Sequence, residues 1–205
     1  ATRDGDTAVV ITLSSRLSGT YQSACIAAED FEGKVFVVDS MTATIGERLL
    51  LQYGMELVNE GLDAATVAAK LDAVKDRVCI YARLDTLEYL RKGGRISGAT
   101  AVVGSMLNIK PLISVQNGVV ENVAKARGPK AADKQLRDLV AKSGGIDFSK
   151  PMCAAYSGNE DDNLKTFLAD STDTLCGTEA PIATVGCVIG AHVGPGAVAM
   201  AYFKN

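Results

Sequence analysis

Four serines, two threonines and an arginine crowd the segment Ile11–Ala24, ITLSSRLSGTYQSA. The apolar run Ala8–Leu13 stops at Ser14 and Ser15, and from about Ser18 onward Tyr21, Ala24, Cys25 and Ala28 share one face at helical spacing. A strand that feeds a polar turn and then a helix N-terminus aims free backbone N–H groups and a dipole end at one point. That point is a seat for a carboxylate or phosphate. Ser14 and Ser15 are candidate hydroxyl donors to it, beside the N–H groups near Gly19 and Thr20. The same residues would serve equally well in a turn that caps its own helix.

Three further side chains could meet an anion. His192, the only histidine, lies among small residues in Gly190–Ala197, GAHVGPGA, read as a turn where backbone approaches a ligand closely. Arg95 follows Gly93-Gly94, placed to offer a bidentate guanidinium between a helix end and the next segment. Arg127, with Lys125 and Lys130, forms a small basic patch suited to docking a partner or to facing water. Each of the three has a structural alternative, as a satisfied core residue or a solvated charge.

Composition narrows the ligand. The chain has 205 residues, 47% of them apolar, and a net charge of -3. A mildly acidic surface lacks the field that a nucleic-acid backbone requires. The five cysteines, Cys25, Cys79, Cys153, Cys176 and Cys187, are scattered without CxxC spacing, which fits a reduced, cytoplasmic setting. One histidine and dispersed cysteines supply no recognisable metal ligand set, and no cofactor motif is present. From Ile182 to Phe203 no charged residue occurs, but Gly186, Gly190, Gly194 and Gly196 interrupt the run. It reads as two buried strands joined by a glycine-rich turn, not as a membrane span.

The elements that must position these residues change character near Arg77. Before it, strands at Ala8–Leu13 and Val35–Val38 alternate with helical patterns, including Ile45, Leu49, Tyr53 and Leu57, and a helix N-capped by Asp63. After it come a strand at Val78–Ala82 and a capping box at Asp85–Glu88 closed by Gly93-Gly94. A helix over Ser97–Leu107 is expected next, then strands Ile109–Val115 and Val119–Arg127 around the hairpin signal Asn117-Gly118. A helix at Pro129–Lys142, a strand at Met152–Tyr156 and a helix over Asn163–Leu168 follow. This order implies a parallel α/β domain over residues 1–76 and an α+β domain with a mixed, mainly antiparallel sheet over 77–205. Two parallel strands rarely stand alone, so further strands are expected from an upstream segment or another chain.

Four blocks occur in order: LSSRLSGTYQSA at Leu13–Ala24, VFVVDS at Val35–Ser40, LDTLEYLRKGGRISG at Leu84–Gly98 and GAHVGPGA at Gly190–Ala197. NIKPLI at Asn108–Ile113 and AKARG at Ala124–Gly128 fall between them. Together they resemble the DegV family of fatty-acid-binding proteins, over essentially the whole chain. The upstream hydroxyl-bearing loop that members of the family carry is absent from these residues.

The resemblance implies a two-domain fold with a fatty acid held between and inside the domains. It implies a carrier and not a catalyst, which presents a long-chain acid to a fatty acid kinase for acyl-phosphate formation. Ser15, with Ser14, would hold the carboxylate, His192 would make the second contact, Arg95 would lie near the head group, and Arg127 would dock the kinase. The tail would enter an apolar pocket; Met106, Leu107, Ile109, Pro111, Leu112 and the Val198–Met200 strand supply ample apolar surface, core by default and a tunnel only if a ligand fills it. Two other readings stay open. Ser14 or Ser15 with His192 and Asp39 would form an acyl hydrolase, although no GxSxG elbow is present. A phosphate-binding module related to dihydroxyacetone-type kinases would use the glycine-rich turns instead.

Overall fold

The computed structural model describes residues 5–96 and 108–205. Two sheets share one helix. Strands β1 (Ala8–Thr12) and β2 (Val35–Asp39) pair in parallel, Ala8 opposite Val35 and Thr12 opposite Asp39. Between them lies α1 (Thr20–Ala28). Its expected face is the observed one: Tyr21, Ala24, Cys25 and Ala28 are half-buried, while Ile26 points outward. Helices α2 (Ile45–Asn59) and α3 (Ala64–Val74) follow, and Asp63 caps α3 by accepting from the Thr66 N–H at 2.9 Å.

The second sheet has six strands in the order β5-β4-β3-β8-β6-β7. They are β3 (Val78–Arg83), β4 (Ile109–Gln116), β5 (Val119–Arg127), β6 (Met152–Tyr156), β7 (Ile182–Thr184) and β8 (Val198–Phe203). Only β6 and β7 run parallel; every other pairing is antiparallel. The β4–β5 hairpin turns at Asn117 (φ 48°) and Gly118 (φ 80°), the two positive φ values that its tight turn requires.

Strand alternation divides the core. On one face of β8, Ala199, Ala201 and Phe203 meet α2, whose Ile45, Leu49, Leu50 and Leu57 are buried. On the other, Val198, Met200 and Tyr202 meet α5 (Pro129–Lys142) and α6 (Asp162–Ala169) through Leu136, Val140, Leu164 and Phe167. Alanines at 199 and 201 let α2 approach closely, and the same helix contacts β1 on its other side. The parallel pair is thus fastened to the large sheet by one continuous apolar cluster.

Two sequence expectations need correction. The segment 182–203 is not two strands joined by a turn: β7 ends at Thr184, and α7 (Cys187–Val193) intervenes before β8. Gly186 and Gly194 (φ 73°) bound this helix, so these glycines are helix ends and His192 lies in the last helical turn. Val188, which a buried strand would hide, is 75% exposed. Asp85–Glu88 is not a capping box either. Helix α4 (Glu88–Lys92) begins after Leu87, Thr86 Oγ1 accepts from the Glu88 N–H, and the two carboxylates pair with Lys110 and Lys92. Leu112, Val198 and Met200, core by default in the sequence, belong to the α5–α6 side of the core. The helix expected over Ser97–Leu107 lies outside the described residues. Among the described residues no helix is long and apolar enough to cross a membrane.

Candidate functional site: an apolar cavity with a polar rim

A cavity of about 230 Å³ opens between the loops that follow β1 and β2 and the face of the large sheet. This volume far exceeds the space one water molecule needs. Its wall is aliphatic: Ile80, Ala82, Ile113, Val115, Ala199 and Ile189 are representative. Polar residues occur on the same lining at Ser18, Thr20, Thr44, Ser114, Arg95 and His192. Strand alternation turns the Ser114 side chain to the opposite face of the sheet, with its cross-strand partner Tyr81. The remaining polar residues come from the β1–α1 loop, the β2–α2 loop and the ends of α4 and α7. A crevice beyond the carboxyl ends of parallel strands is where α/β sheets bind ligands.

The β1–α1 loop is held from two sides. Asp39 Oδ1 accepts the N–H groups of Ser15 and Met41, each at 3.1 Å, which ties the two loops together. Ser14 is fully buried; its N–H donates to Thr42 O at 2.8 Å and its hydroxyl to Gly118 O at 2.7 Å. Thr44 takes φ 53°, ψ -121°, a conformation that a β-branched residue adopts only under constraint. It faces the cavity at the start of α2.

Arg95 is exposed at the rim. Its Nη1 donates to Gly93 O at 2.6 Å and its Nε to Leu17 O at 3.4 Å, so the guanidinium bridges α4 and the serine-rich loop. His192 lines the cavity from α7, with its Nδ1 buried and without a hydrogen-bond partner among the described residues.

The structure therefore brings together Arg95 and His192 on the cavity lining and leaves Ser14 and Ser15 outside it. Ser14 gives its only hydroxyl proton to Gly118, so it anchors the loop instead of facing a head group. Ser15 is half-buried in the same turn. The Thr20 N–H, expected to be free, has Ser18 Oγ at 3.3 Å. Asp39 is occupied by backbone N–H groups, and no serine hydroxyl bonds to His192 among the described residues, so no relay of the hydrolase type is assembled there. Arg127, Lys125 and Lys130 are exposed at the far end of β5 and line no part of the cavity. Sequence reasoning missed Thr44 and the apolar side of α7. No local signal marks Thr44, whereas Ser18 and Thr20 belong to the same hydroxyl-rich block as Ser14.

An aliphatic cavity with a cationic and hydroxylic rim has the chemistry that suits an amphipathic ligand. The sequence pattern of the DegV family of uncharacterised proteins matches residues 1–205, and the chain belongs to that family. A DegV domain-containing protein of Deinococcus radiodurans is 35% identical, over 98% of this chain and 71% of its own. Among solved structures, a fatty-acid-binding DegV family protein from Thermus thermophilus superposes with a TM-score of 0.83 at 32% identity, covering 97% of this chain and 71% of that one. The Fatty Acid Kinase (Fak) B3 protein of Streptococcus pneumoniae, loaded with linoleic acid, shares the fold at TM-score 0.88 and 22% identity, over 100% of this chain and 74% of that one.

Proposed function

We propose that this chain binds a long-chain fatty acid, with the tail in the aliphatic cavity and the carboxylate at the rim. The observation that carries this reading is the gradient along one lining, from Ile80, Ile113 and Ala199 to Arg95 and His192. Residues 1–76 and 77–205 act in this reading as two lobes that close over the ligand. The fatty acid bound by the Thermus thermophilus relative supports the ligand class.

Magnitudes assign the roles. Each buried methylene contributes roughly 0.8 kcal/mol, so a dozen contribute on the order of 10 kcal/mol before ordering costs. A hydrogen bond to a charged group contributes about 1.5–3 kcal/mol. The tail sets affinity; Arg95, His192 and the hydroxyls of Ser18 and Thr20 set orientation. An oriented, rim-held carboxylate is what a fatty acid kinase needs for acyl-phosphate formation, with Arg127 on the docking surface. The chain itself is a carrier in this scheme.

Native mass spectrometry, followed by denaturation and lipid extraction, tests the reading. One fatty acid per chain is the expected result. A chain that carries none and takes up none from added oleate overturns it.

A further inference from the structure

We propose that Gly93 is the positioning residue for His192 and that it holds the imidazole as the neutral Nε2–H tautomer. The proposal rests on the fatty-acid reading above, because an Nε2–H donor is what a carboxylate in the cavity requires.

Gly93 takes φ -75°, ψ -8°, a right-handed helical conformation open to any residue. Its backbone does not call for glycine, unlike Gly94, whose φ is 68°. A glycine here is a weaker helix former than alanine, with no conformational compensation. What the position lacks is a Cβ. One built on Gly93 would overlap Nδ1 and Cε1 of His192. The contact is reciprocal: a Cβ on Gly194 would overlap the Tyr89 ring, so α4 and α7 meet through one glycine from each side. The Gly93 carbonyl also accepts from Arg95 Nη1 at 2.6 Å. One residue thus seats both Arg95 and His192 at the cavity.

This contact decides the tautomer. Nδ1 lies buried against Gly93 with no hydrogen-bond partner among the described residues. A proton on Nδ1 would be a buried donor without an acceptor, the rarer and costlier of the two orphans. A bare lone pair there leaves the proton on Nε2, the nitrogen that remains to serve the cavity. A carboxylate accepts and never donates when ionised, so only this tautomer of the neutral ring bonds it.

The chain has one histidine, so selective ¹⁵N-histidine labelling gives a single imidazole spectrum. It is recorded on the ligand-free protein well above the ordinary histidine range, about pH 6.5. The expected spectrum is that of the Nε2–H tautomer, with Gly93→Ala shifting the ring toward a tautomer mixture and weakening oleate binding roughly tenfold. A dominant Nδ1–H form, an even mixture in the parent protein, or an unchanged spectrum in Gly93→Ala overturns the proposal. Should Gly93→Ala not fold, two substitutions of the histidine decide: the His192→Gln amide can occupy the Nε2 position and the His192→Asn amide the Nδ1 position. Recovery by Gln of part of the affinity lost in His192→Ala, with none by Asn, supports the assignment; the reverse order overturns it. Failure of the parent protein to bind oleate counts against the fatty-acid reading alone, because the spectrum is read without ligand.

Discussion

Ser14 Oγ donates to the carbonyl of Gly118 at 2.7 Å, which fastens the first loop of the small sheet to the hairpin tip of the large one across 104 residues of sequence. Arg16 Nη1 adds a second bond to the same tip, at Asn117 O, 2.8 Å. The tip is tightly fitted, since a Cβ on Gly118 would lie 2.5 Å from Ser14 Oγ. Ser14→Ala leaves the Gly118 carbonyl without this donor in a buried site, a loss of about 1–3 kcal/mol. Urea unfolding should show that loss as a lower midpoint with unchanged slope. An unaltered midpoint would mean that the bond does not hold the two sheets together.

The acid and its methyl ester separate head-group recognition from tail burial. Arg95→Ala and His192→Ala should weaken binding of oleate by roughly tenfold or more, the value of a hydrogen bond to a charged group. Binding of methyl oleate should change far less. His192→Ala should also reduce phosphorylation of the bound acid by a fatty acid kinase more than it reduces binding. Equal losses for acid and ester would place both residues away from the carboxylate.

Legibility in the sequence followed the range of the determining interactions. Hairpin β4–β5 was readable because Asn117-Gly118 enforces two positive φ values locally. Helix α5 was readable from Pro129 to Lys142 because a proline start and a strongly one-sided apolar pattern act within the helix. Segment 187–193 was not, because CVIGAHV has β-branched residues and a central glycine that disfavour a helix, and its contact with α4 is tertiary. The role of Ser14 was hidden for the same reason: its acceptor is a backbone carbonyl more than a hundred residues away. Thr44 owes its place on the cavity to loop closure around Asp39, which no spacing records.

Ala199 projects from β8 into the cavity, so its size sets how much tail fits. Ala199→Phe should shorten the acid that co-purifies with the protein. Each methylene excluded costs about 0.8 kcal/mol, close to a fourfold loss of affinity. Chain-length profiling of extracted lipid reads the shift directly. An unchanged profile would place the tail elsewhere than along β8.

Glu47 is half-buried in the first turn of α2, and desolvation raises its pKa above the ordinary glutamate range. A raised carboxyl pKa in the folded state means that the unfolded chain ionises first as pH rises. The folded protein therefore loses relative stability from about pH 4.3 upward, until Glu47 itself ionises. Glu47→Gln removes this penalty. Its thermal midpoint should exceed the parent's at pH 7, with the difference vanishing below about pH 4. A gap that persists at low pH would show that the substitution acts through packing and not through charge.

Arg83 and Asp133 form the one ion pair buried on both sides among the described residues, with Nε and Oδ1 2.8 Å apart beneath β3 and α5. The distance is that of an ion pair, yet neither atom meets hydrogen-bond geometry, so the attraction is poorly directed. Desolvation raises the Asp133 pKa, and the opposing pull of Arg83 and then Arg137 does not cancel it. Burial outweighing attraction at the carboxylate is the mark of a pair whose partners are each costly alone. Asp133→Asn strands the Arg83 guanidinium and should destabilise the fold by about 3–5 kcal/mol, whereas Arg83→Met with Asp133→Leu should be neutral or stabilising by up to about 4 kcal/mol. Denaturant titration of the parent, Asp133→Asn and the double variant ranks their stabilities. A double variant as unstable as Asp133→Asn would mean that the pair is held in place by favourable bonding and not merely tolerated.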